Sequence, residues 1–466
     1  MVVMLIMSII LAAMAPVMTT RSKADSSSPW RYSPENLSDA YFGPGESQVA
    51  MIGQPNKLET DDAARLILTT SSSLPIHLSF KRDNTTVGRL QFVDTNLVLG
   101  SGSLDHLTDG SNNISIGPNN LTQVTSGGSN IAIGDNAMLS TTSGGNNIGI
   151  GTTLTGNIDG SNNVAVGDDS LTRANSSWNT VVGRNAYQLG TGGSNTIIGG
   201  DAMSEGSGQN NVAVGTNALW YGNGDGNVAI GANSNYKNQT LTNFTNSTAV
   251  GFSSYASGTN SVAIGSSATS SDTDAIAIGN GTTASGESSI AIGSYNSSLG
   301  NTTADGNGAI SIGDGAVSKE HSVALGTNAT ANSAGGIAIG KSAEASPKSG
   351  YSSFSDGVAI GTNAKVEGTS CGWGPCSYTA GIAIGHDAYT MSSDGIVIGN
   401  SASAECNSVS IGYNTTTERH SVAIGHEAKA IDKSVAIGYE ACKDVTGSNV
   451  VCIGSGSGPT YDMDKS

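Results

Sequence analysis

The chain has little of what an ordinary globular protein uses to build its core and its surface. Aromatic residues make up 5% of its 466 residues and charged residues 12%, whereas glycine occurs 64 times. Such a composition is typical of disordered segments, which cannot bury enough apolar surface to fold. Here, however, valine, isoleucine and alanine recur at regular intervals. A disordered segment does not require such regular spacing of apolar residues. We therefore predict a repetitive fold.

Basic residues are also scarce. The chain has 20 lysines and arginines against 37 aspartates and glutamates, which gives a formal net charge of −17. A nucleic-acid-binding protein needs a basic stripe on its surface, and the sequence has none, so we predict no nucleic-acid partner. The acidic balance itself favours solubility and mutual repulsion between molecules.

Motifs for catalysis, nucleotide binding and metal binding are missing or incomplete. Residues 335–342 fit the P-loop pattern, but Lys341 occupies a position that varies among the repeats, and no helix is predicted after it. His420, His426 and Glu427 lack the His-Glu-x-x-His spacing of a zinc enzyme. The Gly-Asp pairs lack the nonapeptide period of calcium-binding rolls. We predict a protein that is not an enzyme and has no cofactor or metal site.

Cysteine is rare, and its five copies are an odd number. Cys371 and Cys376 flank Gly-Trp-Gly-Pro, which predicts a local disulfide in an oxidising compartment. A zinc site would need a second pair at a suitable distance, and none follows. We interpret Cys406, Cys442 and Cys452, which lie in or near the repeats, as small buried hydrophobic residues without a redox role.

The first 20 residues form a separate apolar segment. Residues 1–18 are apolar apart from Ser8 and Pro16, and Arg21 and Lys23 follow. This length is marginal for a membrane span and slightly long for the core of a signal peptide. We predict either a cleaved signal peptide or an N-terminal anchor. Both alternatives place the rest of the chain across a membrane, on the outside of a cell or on a virion.

One five-residue phrase organises the rest of the chain. Ser-Val-Ala-Ile-Gly occurs at residues 421–425 and again at 434–438, and variants of it run from residues 96–100 to 450–454. Val-Ala-Ile has the period of two and the side chains of a β-strand. A single repeat buries too little apolar surface to offset the entropy of ordering it. Each strand must therefore pair with the repeats before and after it, which predicts a solenoid.

The two sides of the predicted strand carry different side chains. We expect Val and Ile to fill the core and the glycine to end the strand. Alanine then falls on the other face, as at Ala423 and Ala436. A solvated face would tolerate larger polar residues, so this small, uncharged column predicts close contact with another copy of the chain.

The spacing of the repeat glycines divides the chain. The glycines lie 16 or 17 residues apart up to residue 231, and mostly 13 or 14 apart from residue 251, with longer steps at insertions. Short alternating strands precede the first repeat. The predicted segments are a signal peptide or anchor at 1–20, a polar linker or docking segment at 21–59, a small β cap at 60–99, a β-roll with longer repeats at 100–247, a β-roll with shorter repeats and insertions at 248–456, and a tail at 457–466.

These units resemble a known family. The Ser-Val-Ala-Ile-Gly-x-x-Ala repeats are similar to the head repeats of trimeric autotransporter adhesins, the YadA-like heads, and residues 251–438 match best. Residues 210–219 look more like the 16-residue repeats of phage and viral tail fibres. The resemblance implies a left-handed parallel β-roll that assembles as a homotrimer and presents an adhesive surface. Complete autotransporters continue into a stalk and a membrane barrel, whereas this sequence stops at Ser466. We therefore expect a secreted or N-terminally anchored surface protein, or a virion fibre.

Two functions fit these features. The first is an extracellular or virion-surface fibrous adhesin, whose rigid all-β roll presents insertion loops to a host-cell glycan, surface protein or matrix. The alternative is a purely structural fibre or coat protein without a specific ligand. Only the N-terminal segment is predicted to meet a membrane. The candidate ligand contacts are aromatic residues in two insertions: Trp373, Tyr378, Tyr351 and Phe354.

Overall fold

The repeats form a solenoid of stacked coils in the computed structural model. The structure describes residues 95–156, 159–173, 175–236, 245–347, 356–368, 381–391 and 394–458, together with short strands outside these ranges. The predicted all-β parallel solenoid is confirmed. Within this part of the chain, no helical segment has the length and apolar character that a membrane crossing requires.

Each coil contributes one short strand to a continuous parallel sheet, here called the main sheet. Successive strands pair in register, so that Ala423 lies beside Ala436 and Ala324 beside Ala338. The 23 strands follow chain order: Asn96–Leu99, Ile114–Ile116, Ile131–Ile133, Ile148–Ile150, Val164–Val166, Thr180–Val182, Thr196–Ile198, Val212–Val214, Val228–Ile230, Thr248–Val250, Val262–Ile264, Ile276–Ile278, Ile290–Ile292, Ile310–Ile312, Val323–Leu325, Ile337–Ile339, Val358–Ile360, Ile382–Ile384, Ile396–Ile398, Val409–Ile411, Val422–Ile424, Val435–Ile437 and Val450–Ile453.

The shorter coils carry a second strand, and these strands form the second sheet. It is also parallel and in register. Alanines of both sheets pack in one core, as Ala331 and Ala338 do. The 12 strands are Tyr255–Ala256, Thr269–Ser270, Thr283–Ala284, Thr303–Ala304, Val317–Ser318, Thr330–Ala331, Glu344–Pro347, Lys365–Gly368, Tyr389–Thr390, Ser403–Ala404, Thr416–Thr417 and Lys429–Ala430.

Antiparallel strands extend the main sheet at both ends. Ile76–Arg82, Thr85–Val93 and Asn96–Leu99 form a meander that leads into the first coil, and Met51–Ile52 pairs with Ile76–Arg82. Tyr461–Asp462 pairs with the last main-sheet strand. The remaining pairs are Trp30–Arg31 with Tyr41–Phe42, Pro55–Thr60 with Leu66–Thr70, and Gly222–Asn223 with Thr242–Asn243. The cap at 60–99 and the other segment boundaries stay predictions.

The interior of the coils is built from alanine, which overturns one expectation. The middle residue of the main-sheet strands is fully buried, as at Ala277 and Ala423, whereas the flanking Val and Ile side chains point outward. We predicted the reverse. A period of two separates the faces of a strand without showing which one is inside. In the shorter coils most buried apolar positions hold alanine, and one core cluster there consists of alanines alone.

The longer coils hold larger side chains. Leu171, Tyr187 and Met203 are fully buried and take left-handed backbone conformations, with φ of 51°, 53° and 45°. The Tyr187 hydroxyl donates a hydrogen bond to the carbonyl of Gly192 and accepts one from the Asn195 amide. Burial raises the pKa of the Tyr187 phenol. The backbone strain at these corners is held in place by the surrounding core.

A buried column of asparagines ties the longer coils together. The Oδ1 atom of Asn147 accepts a hydrogen bond from the backbone N–H of Asn163 at 3.0 Å, and Asn163 does the same for Asn179 at 2.9 Å. The side-chain amide of Asn195 donates to the Gly208 carbonyl at 2.9 Å. Each amide thus satisfies backbone groups of its neighbours, as a buried polar column must. From residue 247 to 434 this position holds Ser, Ala or Gly.

Candidate functional site

The main sheet turns a continuous apolar surface away from the core. We call this surface the outer face; it consists of the two outward-pointing residues of each main-sheet strand. Only Thr180, Thr196 and Thr248 break the series of Val, Ile and Leu. The most exposed members are 36–61% exposed: Leu99, Ile116, Ile150, Ile198, Ile230, Ile264, Ile312, Ile384, Ile398, Ile424, Ile437, Val451 and Ile453.

The outer face is far larger than the apolar patches of monomeric proteins. With 23 strands stacked at about 4.8 Å each, the stripe is roughly 110 Å long. At a width of about 10 Å it covers on the order of 1,000 Å², whereas an apolar patch on a soluble monomer rarely exceeds a few hundred. A surface of this size and composition is typical of a protein–protein interface.

Three aromatic rings stack beside the outer face near the C-terminal end of the solenoid. Tyr413, His426 and Tyr439 each follow the glycine that ends a main-sheet strand. The ring centroids of Tyr413 and His426 are 4.9 Å apart, and those of His426 and Tyr439 are 5.1 Å apart. Sequence reasoning treated His426 as a solvated side chain and missed the stack. Aromatic residues one repeat apart at the same position were the signal for it.

A small charged network borders this ring stack. The Lys443 ammonium lies 2.5 Å from a Glu427 carboxylate oxygen and 2.7 Å from one of Glu440. Its hydrogen bond lowers the pKa of the Glu427 carboxyl, and the two carboxylates raise the pKa of Lys443. All three side chains are accessible to solvent, so the network contributes little to stability. It gives the surface beside the rings a local negative balance.

The two insertions with the predicted ligand contacts leave the solenoid side by side. Residues 348–355 follow strand Glu344–Pro347, and residues 369–380 follow strand Lys365–Gly368. The two strands are neighbours in the second sheet, with Pro347 beside Gly368. Both insertions therefore begin at the C-terminal ends of two adjacent strands of the second sheet. The four candidate contacts on them lie outside the described residues: Tyr351, Phe354, Trp373 and Tyr378.

An ion-paired cluster lies at the base of these insertions. The Lys365 ammonium is 3.1 Å from a Glu344 carboxylate oxygen and 2.5 Å from one of Glu367. The Tyr389 hydroxyl donates a hydrogen bond to Glu367 at 2.9 Å. Burial, with a further contribution from this hydrogen bond, raises the pKa of the Tyr389 phenol to about 12. The cluster joins three successive second-sheet strands and fixes the edge from which the insertions depart.

The structure corrects the interpretation of three cysteines. Cys442 and Cys452 form a disulfide with Cα atoms 5.6 Å apart, and Cys406 is disulfide-bonded as well. All three are buried, as expected, but they are cross-links and not merely small hydrophobic residues. The Cys442–Cys452 bond closes the last coil and restricts the unfolded chain there. Cys371 and Cys376, which we predicted to pair with each other, lie outside the described residues.

Two motifs considered from the sequence have an ordinary place in the solenoid. Residues 335–342 contain strand Ile337–Ile339, and strand Glu344–Pro347 follows where a P-loop needs a helix. Across the residues that the structure places, no group of three or more His, Cys, Asp and Glu side chains could hold a metal ion. His420 and His426 are exposed, and Glu427 is half-buried in its ion pair with Lys443.

The fold and the outer face define a class of protein: a parallel β-solenoid with one uncovered apolar side. A family model described as YadA head domain repeat (2 copies) matches residues 245–268, 271–296, 318–343 and 417–441. These four segments match YadA head repeats, and the solenoid is consistent with a YadA-like β-roll head, which confirms the predicted resemblance. This family consists of surface adhesins and is in general not enzymatic. No curated protein matches the chain.

Proposed function

We propose that the chain is the head of a homotrimeric surface adhesin, located outside the cell or on a virion. Its outer face forms the subunit interface, and its two neighbouring insertions form the surface that attaches to a host-cell glycan, surface protein or matrix. The uncovered outer face is the observation that carries the proposal. The family match supports it, because heads of this family are trimeric adhesins exposed on surfaces.

The outer face supports assembly on physical grounds. Side chains such as Ile264 and Ile312 keep about two fifths of their surface exposed in the single chain, at 39% and 40%. Burying apolar surface contributes about 25 cal/mol per Å², so a stripe of this length gives a large driving force for association. The interior of each protomer is already filled, by alanine in the shorter coils and by larger side chains in the longer ones, so the Val and Ile columns are free to pack against other copies.

The mass of the intact chain in solution tests this assembly. We expect size-exclusion chromatography with light scattering to give three times the mass of one chain, independent of concentration in the micromolar range. The long apolar interface predicts slow dissociation. A mass equal to that of one chain would refute the proposed assembly.

The position of the two insertions supports attachment, because both begin at adjacent strands of a rigid scaffold and their sequences contain four aromatic residues. Loops held by a rigid framework commonly carry binding function. The in-register pairing of Pro347 with Gly368 makes the two insertions neighbours. Glycans and proteins are both bound through aromatic side chains that combine apolar area with a polar edge. The alternative, a structural fibre without a ligand, needs no such loops.

Removing the aromatic side chains of the insertions tests the attachment surface. We expect the variant that replaces Tyr351, Phe354, Trp373 and Tyr378 by alanine to lose at least about tenfold of the wild-type signal on a glycan array and in cell-adhesion assays, since hot-spot aromatics contribute 2 kcal/mol or more each. The mass in solution should not change.

One exposed aromatic residue elsewhere provides the control. Tyr295 is 55% exposed, and its replacement by alanine should leave both assays unchanged. Wild-type protein that binds neither the array nor the cells would favour the structural-fibre alternative. Equal losses in the two variants would contradict the assignment to the insertions.

A further inference from the structure

Two columns of solvent-facing residues border the outer face, one on each side. The entry column holds the residue two positions before each main-sheet strand, such as Trp178 and Lys433. The exit column holds the residue directly after the glycine that ends each strand, such as Arg184 and Tyr439. Both columns run the length of the solenoid, and they lie on opposite edges of the same apolar stripe.

We infer that the entry column of one protomer lies against the exit column of the next, coil by coil, in the assembled protein. Trp178 then meets Arg184 of the neighbouring copy, and Lys433 meets Tyr439 of the neighbouring copy. Both pairs are cation–π contacts. This inference rests on the proposed assembly through the outer face, and it specifies the residues that seal the edges of that interface.

The pairing follows from symmetry. In a cyclic assembly each subunit uses two different edges, one against each neighbour. An apolar stripe that runs along the whole solenoid is covered throughout when the rotation axis is parallel to the solenoid. Rotation about such an axis does not shift a coil along it, so residues of the same coil meet. Trp178 and Arg184 both flank strand Thr180–Val182, and Lys433 and Tyr439 both flank strand Val435–Ile437.

Tryptophan is an unusual residue at position 178. It is 66% exposed, and the fold gives it a left-handed φ of 66°, a conformation that is uncommon for a bulky residue. Asn162 and Ser194 take the same conformation in the adjacent coils, with φ of 59° and 61°, and both are smaller residues. Tryptophan is enriched in protein interfaces, where its burial compensates for such costs.

The partner positions supply the complementary charge and ring. The Arg184 side chain is 66% exposed, and its nearest carboxylate, that of Asp201, is 3.6 Å away, so its guanidinium is open to a ring face. In the second pair the cation lies in the entry column and the aromatic ring in the exit column. Lys433 is exposed and forms no ion pair with the residues that the structure describes. Tyr439 is 51% exposed, and its ring is held in place by the stack on His426.

Engineered disulfides test the inference directly. In the double variant Trp178→Cys with Arg184→Cys, the two positions of one chain lie on either side of a strand and are more than about 10 Å apart, too far for a disulfide. Cysteines of neighbouring copies are brought together. After mild oxidation we expect most of the protein to run as a covalent trimer on non-reducing gels. The double variant Lys433→Cys with Tyr439→Cys should give the same product.

Matched controls use the same columns. Each single-cysteine variant should give no covalent trimer, and neither should Trp178→Cys combined with Tyr439→Cys, because those positions belong to distant coils. If one double variant loses its β-sheet circular dichroism signal, the cross-linking result of the other double variant tests the edge pairing. Trimeric mass by light scattering without cross-linking in a folded double variant overturns the edge pairing and leaves the proposed function standing. A monomeric mass for the wild-type chain overturns the proposed assembly itself, and the edge pairing with it.

Discussion

Replacing Ile264 and Ile312 by aspartate is expected to convert the assembled protein into folded monomers. Both side chains belong to the outer face and are part-exposed in the single protomer. The carboxylates therefore stay hydrated when the chain is alone. In the assembly, the same carboxylates of all copies would be buried together in an apolar interface. Burying unpaired charges costs several kcal/mol per ion, and like charges repel one another in addition.

Light scattering measures the mass in solution, and far-UV circular dichroism shows whether the variant is still folded. The mass should fall from three chains to one, while the β-sheet signal stays within a few per cent of wild type. The control replaces Thr269 and Thr283 by aspartate, because both are half-buried, outward-pointing positions on the second sheet. That control should keep the wild-type mass. A trimeric mass in the Ile264→Asp, Ile312→Asp variant would show that the outer face is not the interface.

The parallel solenoid could be predicted from the sequence because its evidence is repeated. Every coil contains a similar short strand sequence followed by glycine, from residues 96–100 to 450–454. Many in-phase copies reinforce a signal that one copy would leave ambiguous between a buried strand and other structures. Pairing in register follows, since a slip by one residue would exchange the two faces of every strand.

The direction of the strand faces could not be predicted in the same way. The larger side chains of Val422 and Ile424 suggested the core, but the core between the two sheets is occupied mainly by alanines such as Ala423 and Ala430. The width of a coil depends on where its corners lie. Those corners are set by left-handed residues, and local sequence marks them weakly. The proposed assembly also accounts for the exception, because in it the largest apolar surface is buried against another subunit and not in the core of the protomer.

The remaining features of the site depended on contacts between coils. The Tyr413, His426 and Tyr439 rings are 13 residues apart in sequence, and only the stacking of coils brings them together. The cross-link between Cys442 and Cys452 likewise depends on the path of the last coil. The positions at which the insertions leave the solenoid could be predicted, because the repeat spacing is interrupted there. The ion-paired cluster around Lys365 was not, because Glu344, Lys365 and Tyr389 come from three different coils.

The glycine that ends each strand is expected to be the least replaceable residue of the coil. Gly425 has a φ of 142°, a region that only glycine occupies readily. A Cβ atom added there would lie 2.1 Å from the carbonyl oxygen of Gly438 in the next coil, closer than any real contact. Because Gly438 stands in the same relation to Gly454, a shift in one coil is passed to the next. The Gly425→Ala variant therefore disturbs a stack of coils and not a single turn.

We expect Gly425→Ala to lower the free energy of unfolding by at least about 3 kcal/mol, the sum of backbone strain and displaced neighbours. Denaturant unfolding measures the loss, and hydrogen exchange should show it concentrated in the coils around residues 412–454. Gly447→Ala is the matched control, because its added Cβ would meet nothing closer than 3.9 Å and its φ is not in the left-handed region. That control should stay within about 0.5 kcal/mol of wild type. Equal stability of the two variants would show that the coils can open enough to admit a side chain. The solenoid would then owe its close stacking to the side-chain columns alone.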